Sequence, residues 1–305
     1  MITKKTVLVL GAGASQPYDY PTGHELRMNI CRELEHSSTT LSQRLQQFGY
    51  DYQTLKNFRD DLFESDEPSI DAFLEKRPKL IELGKLVITL ALMESEISKN
   101  LFERKNWYSL LLGKLGTFDD FDKNRLSIIT FNYDRSLDYF LFTTLSKRYP
   151  DKKEAEIVQK VQSIPIIHVY GQIGDLPWQN KSSFRFYDPS TFANQPAVQL
   201  SYKNIRIMHE IDTEKDPLFV KAREQLEQAE KIYFLGFGYH QMNIDRLHVK
   251  DWKVDGKEIL GTSLGMTDRE MNDTMKRCYN NITLRVLHAG SQDVITFLRH
   301  HVSFT

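Results

Sequence analysis

Four short groups of residues could do chemistry in this chain. The first is Gly11-Ala12-Gly13-Ala14-Ser15, directly after the apolar run Thr6–Leu10. Two glycines spaced one apart let a backbone turn tightly off a strand and bring N–H groups against a phosphate. The second is Asn132 with Asp134, and the third is His168. A neutral amide donates and accepts hydrogen bonds at once, and an imidazole titrates near neutral pH. The fourth is Gly236-Phe237-Gly238 with Asn243 a few residues on. Each group has a plainer reading. The glycines could make ordinary turns, Asn132 and Asp134 could cap a helix starting near Arg135, and His168 could be a core histidine. Together, at successive strand ends, they point to a bound nucleotide. Two departures set the first turn apart from a dehydrogenase fingerprint. Gln16 stands where a third glycine belongs, and no strand with an acidic end follows at the expected spacing, because Glu33 and Glu35 lie in a helix-like run. A dinucleotide here would be held differently.

The elements that must position these groups follow from periodicity. Beyond the first run, strands are predicted at Leu126–Thr130, Ile164–Val169, Ile205–Met208, Ile232–Leu235, Glu258–Leu260 and Ile282–Leu287. Helices are predicted between them at Arg135–Lys147, Lys152–Gln162, Leu218–Ala229, Asp268–Tyr279 and Val294–His300. This alternation predicts an α/β fold: a Rossmann-like parallel sheet with helices on both faces. Ligands of such sheets sit beyond the carboxyl ends of the strands. From about residue 27 to 122 the strand pattern disappears and apolar residues recur at helical spacing, so a helical insertion follows the first βα unit of a single 1–305 domain. Within it Ser69 reads as a helix cap, and Asp71 reads as a first-turn carboxylate suited to the helix dipole, with a cleft-facing role as the alternative. Leu176 to Ser201, carrying Pro177, Pro189 and Pro196, reads as an irregular excursion over one edge of the site.

Composition narrows the classes. The 305 residues are 40% hydrophobic and 27% charged with a formal net charge of -1, an ordinary globular balance that offers no global case for nucleic-acid binding. The longest apolar stretch, Leu86–Met93, is too short to span a bilayer, and the N-terminus runs into a core strand rather than a signal peptide, so a cytoplasmic protein without a membrane partner is expected. Cys31 and Cys278 are the only cysteines, which fits a reducing compartment and excludes a four-cysteine zinc site within one chain.

The order of the motifs, Gly-Ala-Gly-Ala-Ser, Thr-x-Asn-x-Asp, His-x-x-Gly and a late Gly-x-Gly, resembles the sirtuin-like, NAD-consuming family. The phrases Tyr20-Pro21-Thr22-Gly23, Ser69-Ile70-Asp71-Ala72-Phe73-Leu74, Phe131-Asn132-Tyr133-Asp134 and Leu235-Gly236-Phe237-Gly238-Tyr239 look like its bacterial branch, many of whose members are antiphage NAD hydrolases. The zinc ribbon of the protein deacylases has no counterpart here, which argues against deacylation.

The resemblance implies that NAD is a substrate, with no metal required. It implies catalytic roles for Asn132, on the nicotinamide ribose or the attacking water, and for His168, as general base or ribose-hydroxyl partner. It gives the phosphates and adjoining ribose to Gly11, Ala12, Gly13, Ala14 and Ser15, and makes Thr22 a further cofactor-binding residue. Asp134 would orient its neighbours or bind ribose, and Gly236, Phe237, Gly238 and Asn243 would lie along the adenosine half. A homo-oligomer is implied, as is a HerA-type ATPase partner for the stand-alone type, since this chain has no P-loop of its own. Two other readings share the residues: a module that senses NAD or ADP-ribose without turnover, and an ADP-ribosyl transferase.

Overall fold

The run Thr6–Leu10 forms β1, whose five residues are all buried. A computed structural model describes residues 1–103, 107–207, 210–249, 252, 256–267, 269–270, 285–286 and 293–304. β1 pairs in parallel with β2 (Leu126–Thr130) on one side and β4 (Lys231–Leu235) on the other. β3 (Ile166–His168) lies outside β2, and β5 (Glu258–Gly261) and β6 (Arg285–Val286) continue beyond β4, all parallel. The order β3-β2-β1-β4-β5-β6 is that of a Rossmann-like sheet. In β1, β2 and β4 every residue is buried, as it must be when helices cover both faces.

The order reverses direction at β1. The chain builds outward to β2 and β3, then returns to β1 and builds the other way through β4. The crevice of such a sheet opens beyond the carboxyl ends of β1 and β4. Those ends carry the two glycine turns.

Between β1 and β2 the described chain forms no strand and carries seven α-helices: α1 (Gly23–Glu33), α2 (Thr40–Gln47), α3 (Tyr52–Glu64), α4 (Ile70–Glu75), α5 (Ile81–Met93), α6 (Ser98–Glu103) and α7 (Trp107–Lys114). Their starts follow from local chemistry. Thr22, Thr39, Asp51 and Ser69 each accept a backbone N–H from the first turn, and Thr22 and Glu25 complete a reciprocal capping box. The apolar stretch beginning at Leu86 lies in α5, which is buried on nearly all sides, the mark of a core helix. Among the described residues no helix is long and apolar enough to cross a membrane.

After β2 come α8 (Ser136–Arg148), α9 (Glu154–Gln162), α10 (Gln195–Asn204), α11 (Pro217–Gln228), α12 (Gln241–Arg246) and α13 (Val294–His301). Two expectations need correction. Ile205–Ile207 is not a strand: Ile205 and Ile207 are fully buried in an irregular segment whose Arg206 N–H donates to the Tyr170 carbonyl at 2.9 Å. A short apolar run carries no period of its own, and burial in a loop satisfies it as well as a sheet does. The excursion from Leu176 is less irregular than expected, because its end forms α10, capped by Asn194 with Pro196 in the first turn. Of the predicted helix Asp268–Tyr279 only residues 269–270 are described, and of the strand Ile282–Leu287 only 285–286, a strand pair; the rest, with Cys278, lies outside the described residues.

Candidate active site

The Gly11–Ser15 turn does not run into a helix. It forms a 3-10 turn over Ala12–Ala14 and a second over Gln16–Tyr18 before α1 begins. Its amides are largely spent on the protein. Gly11 N–H donates to Leu235 O at 3.0 Å, Gly13 N–H to Gly236 O at 3.0 Å, Ala14 N–H to Gly11 O at 2.9 Å and Ser15 N–H to Ala12 O at 3.1 Å. Among the described residues the Ala12 N–H has no such partner. The glycines also meet a packing requirement: the turns after β1 and β4 pack back to back. A Cβ on Gly11 would lie 2.6 Å from Gly236 O, and one on Gly13 would lie 2.9 Å from Gly236 Cα. Gly236 itself has φ +56°, and a Cβ there would overlap the Ala14 amide.

Gly236→Ala therefore meets two costs at once, a left-handed backbone and a backbone clash, together roughly 2–6 kcal/mol. Gly49→Ala, at φ +92° with open space around it, should cost only the backbone term, about 1 kcal/mol. Urea midpoints for the two variants should differ accordingly; equal midpoints would remove the packing argument.

Around these turns opens a cleft of about 570 Å³. Its wall includes Gly11, Ala12, Gly13, Thr22, Asn132, Gly236, Phe237, Gly238 and Asn243 from the expected set. Ala14, Ser15, Asp134 and His168 are not on that wall. Ala14 is buried, with its carbonyl accepting the Trp107 indole N–H of α7 at 2.8 Å. Ser15 donates to Asp134 Oδ2 at 2.7 Å, and Asp134 Oδ1 accepts from the Ser136 hydroxyl and, at 3.1 Å, from its amide at the start of α8. Asp134 thus works as the helix-start acceptor that was its plainer reading. Burial raises its pKa above the ordinary carboxylate range, partly offset by these Ser136 and Ser15 bonds.

Asn132 is the joint between turn and cleft. Its Nδ2 donates to Gly11 O at 2.9 Å and to Ser15 Oγ at 3.1 Å, while its backbone N–H donates to Thr130 Oγ1 at 3.1 Å. With both amide protons used, Oδ1 is the face left for a ligand. Behind it sits His168. Its ring pairs with the Asn132 carbonyl through Nδ1 at 3.4 Å and with Asp138 Oδ2 through Nε2 at 3.1 Å. Burial pulls the imidazole pKa down, but the Asp138 carboxylate, and more weakly Asp134, overcome it and leave it above the usual value. Asp138, on the first turn of α8, is a partner the sequence did not advertise. It accepts Gln179 Nε2 at 3.0 Å on its other oxygen, tying the His168 pair to the excursion.

This arrangement sets a pH dependence. A raised imidazole pKa means that the ion pair stabilises the fold fully below the unfolded value, about 6.5, and that this contribution is lost as pH rises through the folded value. The destabilisation caused by His168→Gln should accordingly be larger at pH 6 than at pH 9 in urea titrations. An equal cost at both would show that the pair is not ionic.

The cleft also gathers residues that sequence reasoning did not select. Thr262 and Ser263 follow the end of β5; Thr262 Oγ1 accepts Gly236 N–H at 2.7 Å and so fixes the second glycine turn. A fifth strand ending in Gly-Thr-Ser was the available signal. Phe131, Tyr170 and Phe237 make an aromatic wall, with Phe131 edge-on to Phe237 at 5.0 Å and to Tyr170 at 5.6 Å. Tyr170 donates to Asn243 Oδ1 at 2.9 Å and accepts from Arg246 at 2.8 Å; burial, opposed by Arg246, leaves its phenol pushed up to about 12. Asp71, assigned first to the helix dipole, does lie in the first turn of α4 but also on the cleft wall, where Tyr133 donates to it. No lysine or arginine is among the described residues of the wall.

The fold and the site define a Rossmann-like α/β protein with an aromatic and amide-rich cleft at its topological switch point. No family model matches the chain, and no curated protein matches it.

Proposed function

We propose that this chain is an NAD hydrolase of the sirtuin-like kind, cleaving the nicotinamide–ribose bond to give nicotinamide and ADP-ribose. The observation that carries the reading is the convergence of the Gly11–Gly13 turn, the Gly236–Gly238 turn and Asn132 on one cleft at the switch point. The mixed lining of the cleft suits a dinucleotide, with aromatic faces for a base and amides at the start of α1 for an anion.

In the proposed reaction the C1′–N bond breaks first, nicotinamide leaves with the electron pair as a neutral pyridine, and the ribose passes through an oxocarbenium-like state. Water then adds at C1′ and loses a proton to solvent. Such a reaction asks for an oriented water more than for a strong base. Asn132 Oδ1 supplies an acceptor for that water or for the ribose hydroxyl. His168, turned onto the Asn132 carbonyl and Asp138, is assigned a positioning role in place of the base expected from the resemblance. NAD is the substrate, and no metal enters the scheme.

The second reading, a sensor that binds NAD or ADP-ribose without turnover, draws on the same withdrawal of His168 from the cleft wall. Transfer of ADP-ribose to another acceptor would share the first step. Incubating the purified chain with NAD and following nicotinamide separates them: release with free ADP-ribose supports hydrolysis, and binding without release supports the sensor. The biological setting proposed is bacterial antiviral defence by NAD depletion in the cytoplasm. Its partners would be further copies of the chain and a HerA-type ATPase, which co-purification with the neighbouring-gene product would test.

A further inference from the structure

Among the described residues, Asp71 and Asp293 stand on the cleft wall and Asp134 lies beneath it. Asp134 has both oxygens engaged by Ser15 and Ser136. Asp293 caps α13, its Oδ1 accepting Thr296 N–H at 2.8 Å. Asp71 differs. The buried Tyr133 hydroxyl donates to its Oδ1, and among the described residues Oδ2 has no side-chain partner. A half-buried carboxylate with one oxygen facing a cleft is held at a desolvation cost that ligand hydroxyls would offset.

Its surroundings specify the ligand group. Tyr133 links Asp71 to the strand-end segment of Asn132, while Tyr170 and Asn243 stand on the same wall. Asn243, given to the adenosine half, shares the described wall with Asp71, whereas Asp134 is occupied beneath the turn. We propose that Asp71, supplied by the helical insertion, is the ribose-reading residue of this cleft: its carboxylate accepts the hydroxyls of the adenosine-side ribose and repels a phosphate placed on them. The proposal rests on the dinucleotide reading above. The described wall carries no lysine or arginine to pair with an added 2′-phosphate; His24 and His240 are its basic side chains.

Calorimetry with ADP-ribose and with its 2′-phosphate tests this without turnover. The wild-type chain should bind ADP-ribose at least about tenfold more tightly than the 2′-phosphate. Asp71→Ala should weaken ADP-ribose binding roughly 10–100-fold, the weight of charge-assisted hydrogen bonds, and bring the two ligands close together in affinity. Asp71→Asn, which preserves shape and removes charge, should likewise narrow the gap and guards against misfolding of the alanine variant. Tyr133→Phe keeps the carboxylate and should retain the discrimination. If both Asp71 variants bind ADP-ribose like the wild type, or if the gap between ligands is unchanged, the assignment is overturned. A wild-type chain that binds neither ligand overturns the dinucleotide reading itself, and this one with it. Binding and discrimination that follow Asp71 without NAD turnover would support the assignment and overturn only the hydrolase.

Discussion

Asn132→Ala should lower nicotinamide release from NAD by roughly 10²–10³-fold while leaving the chain folded, the usual consequence of removing one preorganised polar group from a reacting centre. The reason lies in how the side chain is held. Its two amide protons lock onto Gly11 O and Ser15 Oγ, so the direction of Oδ1 is fixed before any ligand arrives. Orientation set in advance costs nothing at the moment of reaction. Alanine removes the acceptor and leaves Gly11 O and Ser15 Oγ each short of one donor, which is tolerable because Ser15 keeps Asp134. Asn132→Asp is the sharper variant. It restores an acceptor but loses the donor to Gly11 O and sets a carboxylate close to Asp134, so it should rescue little. Steady-state kinetics separate the roles: a fall in kcat with KM nearly unchanged marks an interaction made in the transition state. Near-normal turnover by Asn132→Ala would exclude the hydrolytic assignment of this cleft.

Much of the scaffold was legible because strongly periodic runs declare themselves. Leu126–Thr130 is a strand with the predicted limits, and the insertion announced itself through Leu80, Leu83, Val87 and Leu90, which fall in and beside one core helix. The glycines, too, were visible, but their packing role was not. Gly11, Gly13 and Gly236 are required because two turns distant in sequence touch, a fact of tertiary packing that no local pattern encodes. The same holds for Asp71 and Trp107, which the insertion brings to the cleft wall and to the Ala14 carbonyl. Asp138 was hidden among the first-turn residues of α8, where an acid is unremarkable, until its contact with His168 gave it a role. Residue type marked the candidates, and only the fold could say which of them face the ligand.

The largest loss of stability should follow from Glu96, a residue far from any motif. It lies between α5 and α6, fully buried, with two equally buried arginines upon it. Arg135 bonds both its oxygens, Nε donating to Oε1 at 2.8 Å and Nη2 to Oε2 at 3.1 Å, and Arg185 donates to Oε2 as well. Other guanidinium protons go to the Asp175 carbonyl just before the excursion, to the Phe186 carbonyl within it, and to the Thr191 and Ser201 hydroxyls. One carboxylate therefore fastens the insertion, the start of α8 and the excursion together. Glu96→Gln keeps the shape yet leaves two guanidinium charges in the interior without a counter-ion, a change that costs about 3–5 kcal/mol. For a chain of this size that corresponds to a fall in Tm of roughly 6–20 °C. Removing the exposed pair Lys99–Glu103 should cost well under 1 kcal/mol by comparison. The loss should begin at the excursion, where protease cleavage near Phe184 and Phe186 would rise before global unfolding. It should also reach the cleft, because Tyr187 of the excursion bonds Tyr20 at 2.7 Å, and Tyr20 leads into the Thr22 cap of α1 on the cleft wall. A Glu96→Gln protein that melts within a degree or two of the wild type would show that the two arginines find other partners, and that the excursion is held by its apolar contacts alone.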